Sequence, residues 1–211
     1  MFDHRRDAGE QLAQELTQYA DRDDVIVLGL PRGGVPVAFE VAEALSAPMD
    51  VFVVRKLGTP MNSELAMGAI ASGDVRILNE DVVQRLNISD DAIERVADEE
   101  RAELQRREEL YRGARPRLEL EGKTVLLIDD GLATGATMRA AVNALREHDP
   151  AKIVVAVPTA PPETCSEFED IVDEIVCLET PRDFMGVGGG YRDFSQTSNQ
   201  EVRVLLESAN A

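Results

Sequence analysis

Residues 125–137 read Val-Leu-Leu-Ile-Asp-Asp-Gly-Leu-Ala-Thr-Gly-Ala-Thr. Apolar side chains without alternation are the mark of a strand buried on both faces of a parallel sheet. This strand ends in two adjacent carboxylates, Asp129 and Asp130, followed by small and hydroxylated residues that open a helix over 136–148. In an open parallel sheet, ligands bind at the carboxyl ends of the strands. Small residues let backbone N–H groups approach an anion closely, and the helix N-terminus adds its positive end. Carboxylates do not grip phosphate, but they hold the hydroxyls of a sugar attached to it. The segment therefore reads as a sugar-phosphate site. An acidic turn with a helix cap is the plainer alternative, and it leaves the spacing unexplained.

The same grammar extends in both directions. Residues 25–30 (VIVLGL) form a second buried strand, ending at Pro31-Arg32-Gly33-Gly34 before a helix over 35–45 that tolerates Pro36 in its first turn. Strands are expected at 51–54, 124–128, 153–157 and near 171–178, and an amphipathic helix over 6–20. Strand and helix alternate, which predicts an α/β fold: an open, mostly parallel twisted sheet with helices on both faces. One domain is expected over 1–211, interrupted by an inserted hairpin and helical lid at about 72–122. Residues 66–78 suit a hairpin around Ser72-Gly73-Asp74. Asn79 and Ser89 suit helix N-caps, and a long helix fills 90–112 with Ile93, Ala97, Leu104 and Tyr111 on one apolar stripe. Ser198 and Glu201 make a capping box for a closing helix.

Composition narrows the function. The chain has 211 residues, 40 acids against 22 bases and a net charge of −18. Nucleic-acid affinity comes largely from Lys and Arg neutralising phosphates, so no nucleic-acid partner is expected. Only Lys56, Lys123 and Lys152 are lysines. So few lysines among so many acids suits either a salt-adapted surface or an ordinary acidic soluble protein. The longest apolar runs fall far short of the roughly 20 residues that span a bilayer, and the first ten residues hold no apolar signal core. No membrane partner is expected. Cys165 and Cys177 are too few for a disulfide framework, which makes a reducing cytoplasm the expected location. There is no Walker-type lysine loop, and the glycine run 186–190 lacks the strand–turn–helix context of a dinucleotide site, so it reads as a flexible loop.

Residues 125–137 resemble the phosphoribosyl-pyrophosphate signature of the type I phosphoribosyltransferases. Gly29-Leu-Pro-Arg-Gly-Gly-Val-Pro36 stands where that family places its pyrophosphate loop. Val54-Arg55-Lys56 stands where orotate and adenine members begin a mobile catalytic loop. Tyr191-Arg-Asp-Phe-Ser-Gln196 is similar to a C-terminal motif of an uncharacterised branch. The resemblance implies transfer of ribose 5-phosphate from phosphoribosyl pyrophosphate to a nucleobase or other small nitrogen acceptor, with release of pyrophosphate. A non-catalytic sensor of the donor is the alternative.

On this resemblance, Asp129 and Asp130 hold the ribose hydroxyls and Lys56 neutralises the leaving group. Ala133, Thr134, Gly135, Ala136 and Thr137 hold the 5′-phosphate, Arg32, Gly33 and Gly34 face the pyrophosphate, and Arg55 is a further substrate-binding residue. Tyr191, with Phe194, is a candidate for stacking on a base. Mg²⁺ is implied as cofactor, bound through substrate oxygens and waters with no direct protein ligand, and a homodimer is expected. Ala133 replaces the Asp of 6-oxopurine members, and Gly131 departs from the apolar residue of adenine members. The acceptor is therefore open, a purine base among the possibilities.

Overall fold

The computed structural model describes residues 1–210. Helix α1 (Arg5–Gln14) is capped by His4, whose Nδ1 accepts a hydrogen bond from Asp7 N–H at 3.1 Å. The periodicity predicts one helix to residue 20. Instead α1 stops at Gln14, and a 3₁₀ turn over 17–19 brings Leu16 and Tyr19 into the core beside Leu12. Strand β1 (Val25–Gly29) is wholly buried and feeds α2 (Gly34–Leu45). The expected strand at 51–54 is in fact divided. Strand β2 (Met49–Val51) joins the main sheet, Phe52 and Val53 cross over, and Val54 starts a separate sheet. The crossing is fixed by Phe52 N–H on Gly29 O and by Val53 N–H on Ser72 Oγ. An apolar run cannot reveal such a change of sheet, because both halves are apolar.

The second sheet contains β3 (Val54–Thr59), β4 (Asn62–Ala71) and β5 (Val75–Leu78), all antiparallel. Helices α3 (Glu80–Arg85) and α4 (Asp90–Arg112) follow, capped by Asn79 and Ser89 as expected. The α4 stripe of Ile93, Ala97, Leu104 and Tyr111 is buried in the main core. Then come β6 (Thr124–Ile128), α5 (Ala136–Arg146), β7 (Lys152–Thr159), α6 (Pro162–Glu169), β8 (Glu174–Glu179) and α7 (Asn199–Ala209). Ser198 caps α7 through Glu201 N–H at 3.1 Å.

Five parallel strands lie in the order β2-β1-β6-β7-β8. Alternate residues of each strand enter two cores. Val25, Val27, Leu126 and Ile128 meet α1, α2, α4 and α7, whereas Ile26, Leu28, Val125 and Leu127 meet α5 and α6. The fold is thus α/β with helices on both faces, as the strand–helix alternation requires. No helix among the described residues is long and apolar enough to cross a membrane.

Cys165 of α6 and Cys177 of β8 form a disulfide, 12 residues apart in sequence. Two cysteines are too few for a framework but suffice for this one bridge, which weakens the cysteine argument for a reducing location. Composition could not show that α6 folds back against β8. Closing a loop of this length is worth about 2–3 kcal/mol. Reduction is therefore expected to lower the Tm of the wild type and to leave a Cys165→Ser/Cys177→Ser variant unaffected, as scanning calorimetry with and without a dithiol reductant would show.

Candidate active site

Strands β1 and β6 are neighbours, yet their following helices leave in opposite directions, α2 over one face and α5 over the other. Such a divergence opens a crevice at the carboxyl ends of the two strands. Asp129 and Asp130 extend β6 into it, and residues 30–34 extend β1 into it.

The two loops touch. A Cβ added to Gly33 would lie 2.0 Å from Asp130 Oδ2, so only glycine permits this approach. Gly33 is also the N-cap of α2, which has no capping side chain. On the β6 side, Gly135 is the N-cap of α5 with φ 71°, a left-handed conformation that favours glycine. Two helix N-termini therefore flank the acid pair, and a helix N-terminus suits an anion. They differ: in α2 Gly34 N–H is spent on Leu30 O at 3.0 Å and Val35 N–H on Arg32 O at 3.2 Å, and Pro36 has no N–H, so α5 is the better anion end. Ala133, Thr134, Ala136 and Thr137 are exposed around the second of them. Thr134 Oγ1 accepts from Ala136 N–H at 3.4 Å. Helix α6 braces the loop from behind: Thr164 Oγ1 donates to Ala133 O at 2.9 Å, and the Phe168 ring packs on Gly135.

The acids differ in surroundings. Asp129 Oδ1 accepts from Asp130 N–H at 2.8 Å. Burial, and then the adjacent Asp130 charge, hold the Asp129 carboxyl well above the ordinary carboxylate range. Asp130 Oδ2 instead accepts from Arg5 Nε–H at 2.8 Å, an ion pair whose two side chains are 14% and 11% exposed.

Other expected site residues are placed differently. Arg32 lies partly exposed in the β1 loop and makes no ion pair among the described residues. Arg55 does not face the crevice loops unpaired: its Nε–H donates to Glu100 of α4 at 2.7 Å. Lys56 stands on the paired strand β3, not on an open loop. Its Nζ is exposed and donates to Glu64 O at 3.3 Å. Tyr191 is corrected most clearly. Its ring is 6% exposed between Phe2 and Phe194, which leaves no face for a base, and its hydroxyl donates to Asp130 O at 2.5 Å. Burial and the neighbouring Asp130 carboxylate push the Tyr191 phenol upward. The glycine run is likewise no free loop: residues 187–190 form a 3₁₀ turn, and Gly190 O accepts from Phe2 N–H at 2.8 Å.

Arg5 is the site residue that the sequence did not disclose. It is 125 residues from Asp130, in a helix whose apolar spacing marks only its core face.

A parallel sheet whose switch point sets an acid pair beside two glycine-capped helix N-termini is the architecture of the doubly wound α/β domains. Residues 3–192 match the phosphoribosyl transferase domain family, and the chain belongs to that family, in its type I branch. A Mycobacterium tuberculosis H37Rv protein, Rv0571c, provisionally named a phosphoribosyl transferase, is 51% identical over 210 residues. That match covers 100% of this chain and 47% of the relative, so the chain spans about half the length of the curated relatives it matches. The crystal structure of TT1426 from Thermus thermophilus superimposes with a TM-score of 0.86 at 40% identity, covering 98% of each chain.

Proposed function

We propose that the protein transfers ribose 5-phosphate from phosphoribosyl pyrophosphate to a small nitrogen acceptor, a nucleobase among the candidates, and releases pyrophosphate. The observation that carries this reading is the acid pair at the β1/β6 switch point, with the glycine-capped N-terminus of α5 beside it and the glycine turn that opens α2 against Asp130. Phosphate oxygens need N–H donors and ribose hydroxyls need acceptors, and the crevice supplies both in that order.

Residues 133–137 take the 5′-phosphate, and Asp129 and Asp130 take the ribose hydroxyls. Arg32 with the amide of Gly33 takes the pyrophosphate, and the amide of Gly34, spent on Leu30 O at 3.0 Å, would have to be released to join them. As the bond from C1 to the pyrophosphate oxygen breaks, positive charge grows on the ribose ring, where the adjacent carboxylates stabilise it. A bond from C1 to the acceptor nitrogen forms, and that nitrogen gives up its proton. Residues of about 72–122 serve as a hood on this single domain, anchored in the main core through α4, and the preceding β3–β4 hairpin carries Lys56.

Mg²⁺ suits this donor set. It demands oxygen ligands and keeps several waters, so it would arrive on pyrophosphate and ribose oxygens, with the carboxylates near it and no side chain as a direct ligand. When bound it offsets the negative charge of the leaving pyrophosphate. The reading further takes the protein as a homodimer in the cytoplasm, a location that requires the Cys165–Cys177 disulfide to resist a reducing pool.

Incubation with labelled phosphoribosyl pyrophosphate, Mg²⁺ and a panel of nucleobases and amines is expected to release pyrophosphate in an acceptor-dependent way. A panel that gives no release overturns the reading.

One observation favours a second reading, a sensor that binds the donor without turnover. Arg55 and Lys56 are engaged by Glu100 and Glu64, away from the crevice loops. Calorimetric binding of the donor with no product, unaffected by Lys56→Ala, would select it.

A further inference from the structure

The motif over 191–196 has no part in the transfer described above, yet it is built against the acid pair together with the start of the chain. Residues 2–3 and 190–193 are zipped by main-chain hydrogen bonds: Phe2 N–H to Gly190 O at 2.8 Å, Arg192 N–H to Phe2 O at 2.9 Å and Asp193 N–H to Asp3 O at 2.9 Å. The bracket so formed reaches Asp130 at two points. Tyr191 OH donates to its carbonyl, and Arg5 Nε–H donates to its carboxylate. Arg5 is itself fixed. Its Nη1–H donates to Ser195 O at 2.7 Å, and its guanidinium lies 4.0 Å from the centre of the Phe194 ring. Asp193 Oδ1 accepts from Ser195 N–H at 2.9 Å and holds the turn that presents that carbonyl.

We propose that Arg5, set in place by Phe194 and the Ser195 carbonyl, is a positioning residue that holds the Asp130 carboxylate in its working orientation. The inference rests on the proposed transfer reaction and deepens it. Three features argue for a held carboxylate. A planar guanidinium spends two N–H groups on acceptors from different segments while its face packs on an aromatic ring, which fixes its plane. The carboxylate it grips also lies against the Cα of Gly33, so a small rotation would alter the shape of the crevice. Asp129 alone cannot fill the role, because an adjacent buried carboxyl is charged only at a cost that a nearby cation lowers. Misplacing a reacting or contacting group by an ångström costs up to about a hundredfold in rate.

The test is a double-mutant cycle of Arg5→Gln and Asp130→Asn, read in turnover and in urea unfolding. Arg5→Gln is expected to lower kcat by about 10- to 100-fold with little change in the donor KM. In the Asp130→Asn background it should lower kcat no further, because its effect passes through that carboxylate. Arg5→Lys keeps the charge but cannot serve both acceptors, so it should restore stability more than kcat. Additive losses of kcat in the cycle, or a wild-type kcat in Arg5→Gln, overturn the proposal. If Arg5→Gln does not fold, Phe194→Leu removes the ring beneath the guanidinium and leaves both charges in place. It is then expected to lower kcat, and an unchanged kcat overturns the proposal. The urea cycle needs no substrate: additive unfolding free energies would overturn the hold of Arg5 on Asp130. Coupled energies in a wild type without turnover would overturn the transfer reading instead.

Discussion

Asp129→Asn is expected to cut turnover by about 10²- to 10³-fold while making the protein more stable at neutral pH. The two effects share one cause. The folded structure holds the Asp129 carboxyl above its ordinary value, through burial and the neighbouring Asp130. A carboxyl whose folded value is raised costs nothing while it is neutral in both states. As pH rises past the ordinary value of 3.8, the unfolded chain releases its proton first and stability falls, until the folded group also ionises and the loss levels off. Asparagine removes this loss. The variant should therefore show its largest gain in Tm at neutral pH and none once the pH is below the ordinary carboxylate range.

Asp130→Asn should lower turnover similarly but move stability the other way. It leaves the Arg5 guanidinium, 11% exposed, without its counter-charge. Opposite stability effects at adjacent acids, with a common loss of turnover, would separate a functional pair from an acidic turn. Calorimetric scans between pH 3 and 8, beside steady-state rates, read both. Wild-type turnover in Asp129→Asn would remove it from the ribose contact.

The contrast between these acids also marks the limit of what the sequence discloses. The main sheet was legible because each of its central strands is an unbroken apolar run, and each crevice loop follows such a run directly. The acid pair and the loop 133–137 were placed at the carboxyl end of a strand by the rule for open parallel sheets, and the glycine turn at 33–34 was joined to them by the family resemblance. The helix over 90–112 was legible in its caps and stripe. What escaped depends on contacts between distant segments. Val51 and Val54 read as one strand because 51–54 is an unbroken apolar run, though they belong to different sheets. Arg55 and Lys56 read as free cations because Glu100 and Glu64 are acids among 40. Tyr191 read as a stacking ring because its scarcity was visible and its covering by Phe2 was not. The Cys165–Cys177 bond and the Arg5 contact escaped for the same reason.

Arg112→Ala is expected to cost about 3–5 kcal/mol, the largest single loss of stability outside the site. Arg112 closes α4 and is 8% exposed; its Nε–H donates to Asp50 Oδ2 at 2.9 Å and to Oδ1 at 3.2 Å. Asp50, on the edge strand β2, is 6% exposed, and its Oδ1 also accepts from Val51 N–H. Glu108, one turn back on α4, stands 3.5 Å from Arg112 Nη1 and is capped from outside by Arg117 at 2.5 Å. Removing the guanidinium leaves Asp50 buried with no cation, while Glu108 keeps Arg117. At roughly 2–4 °C per kcal/mol for a chain of this size, Tm should fall by about 10 °C. Asp50→Asn combined with Arg112→Met should lose much less, since it withdraws both charges instead of stranding one. The network joins the inserted helix to the main sheet, and the same helix carries Glu100, which grips Arg55 beside Lys56. A destabilised α4 end should therefore be felt on the hairpin as well. Faster amide exchange at residues 54–71 in Arg112→Ala, with β6 and β7 unchanged, is the expected pattern. Uniform loosening of the whole chain would show instead that the ion cluster stabilises the domain without setting where the hairpin sits.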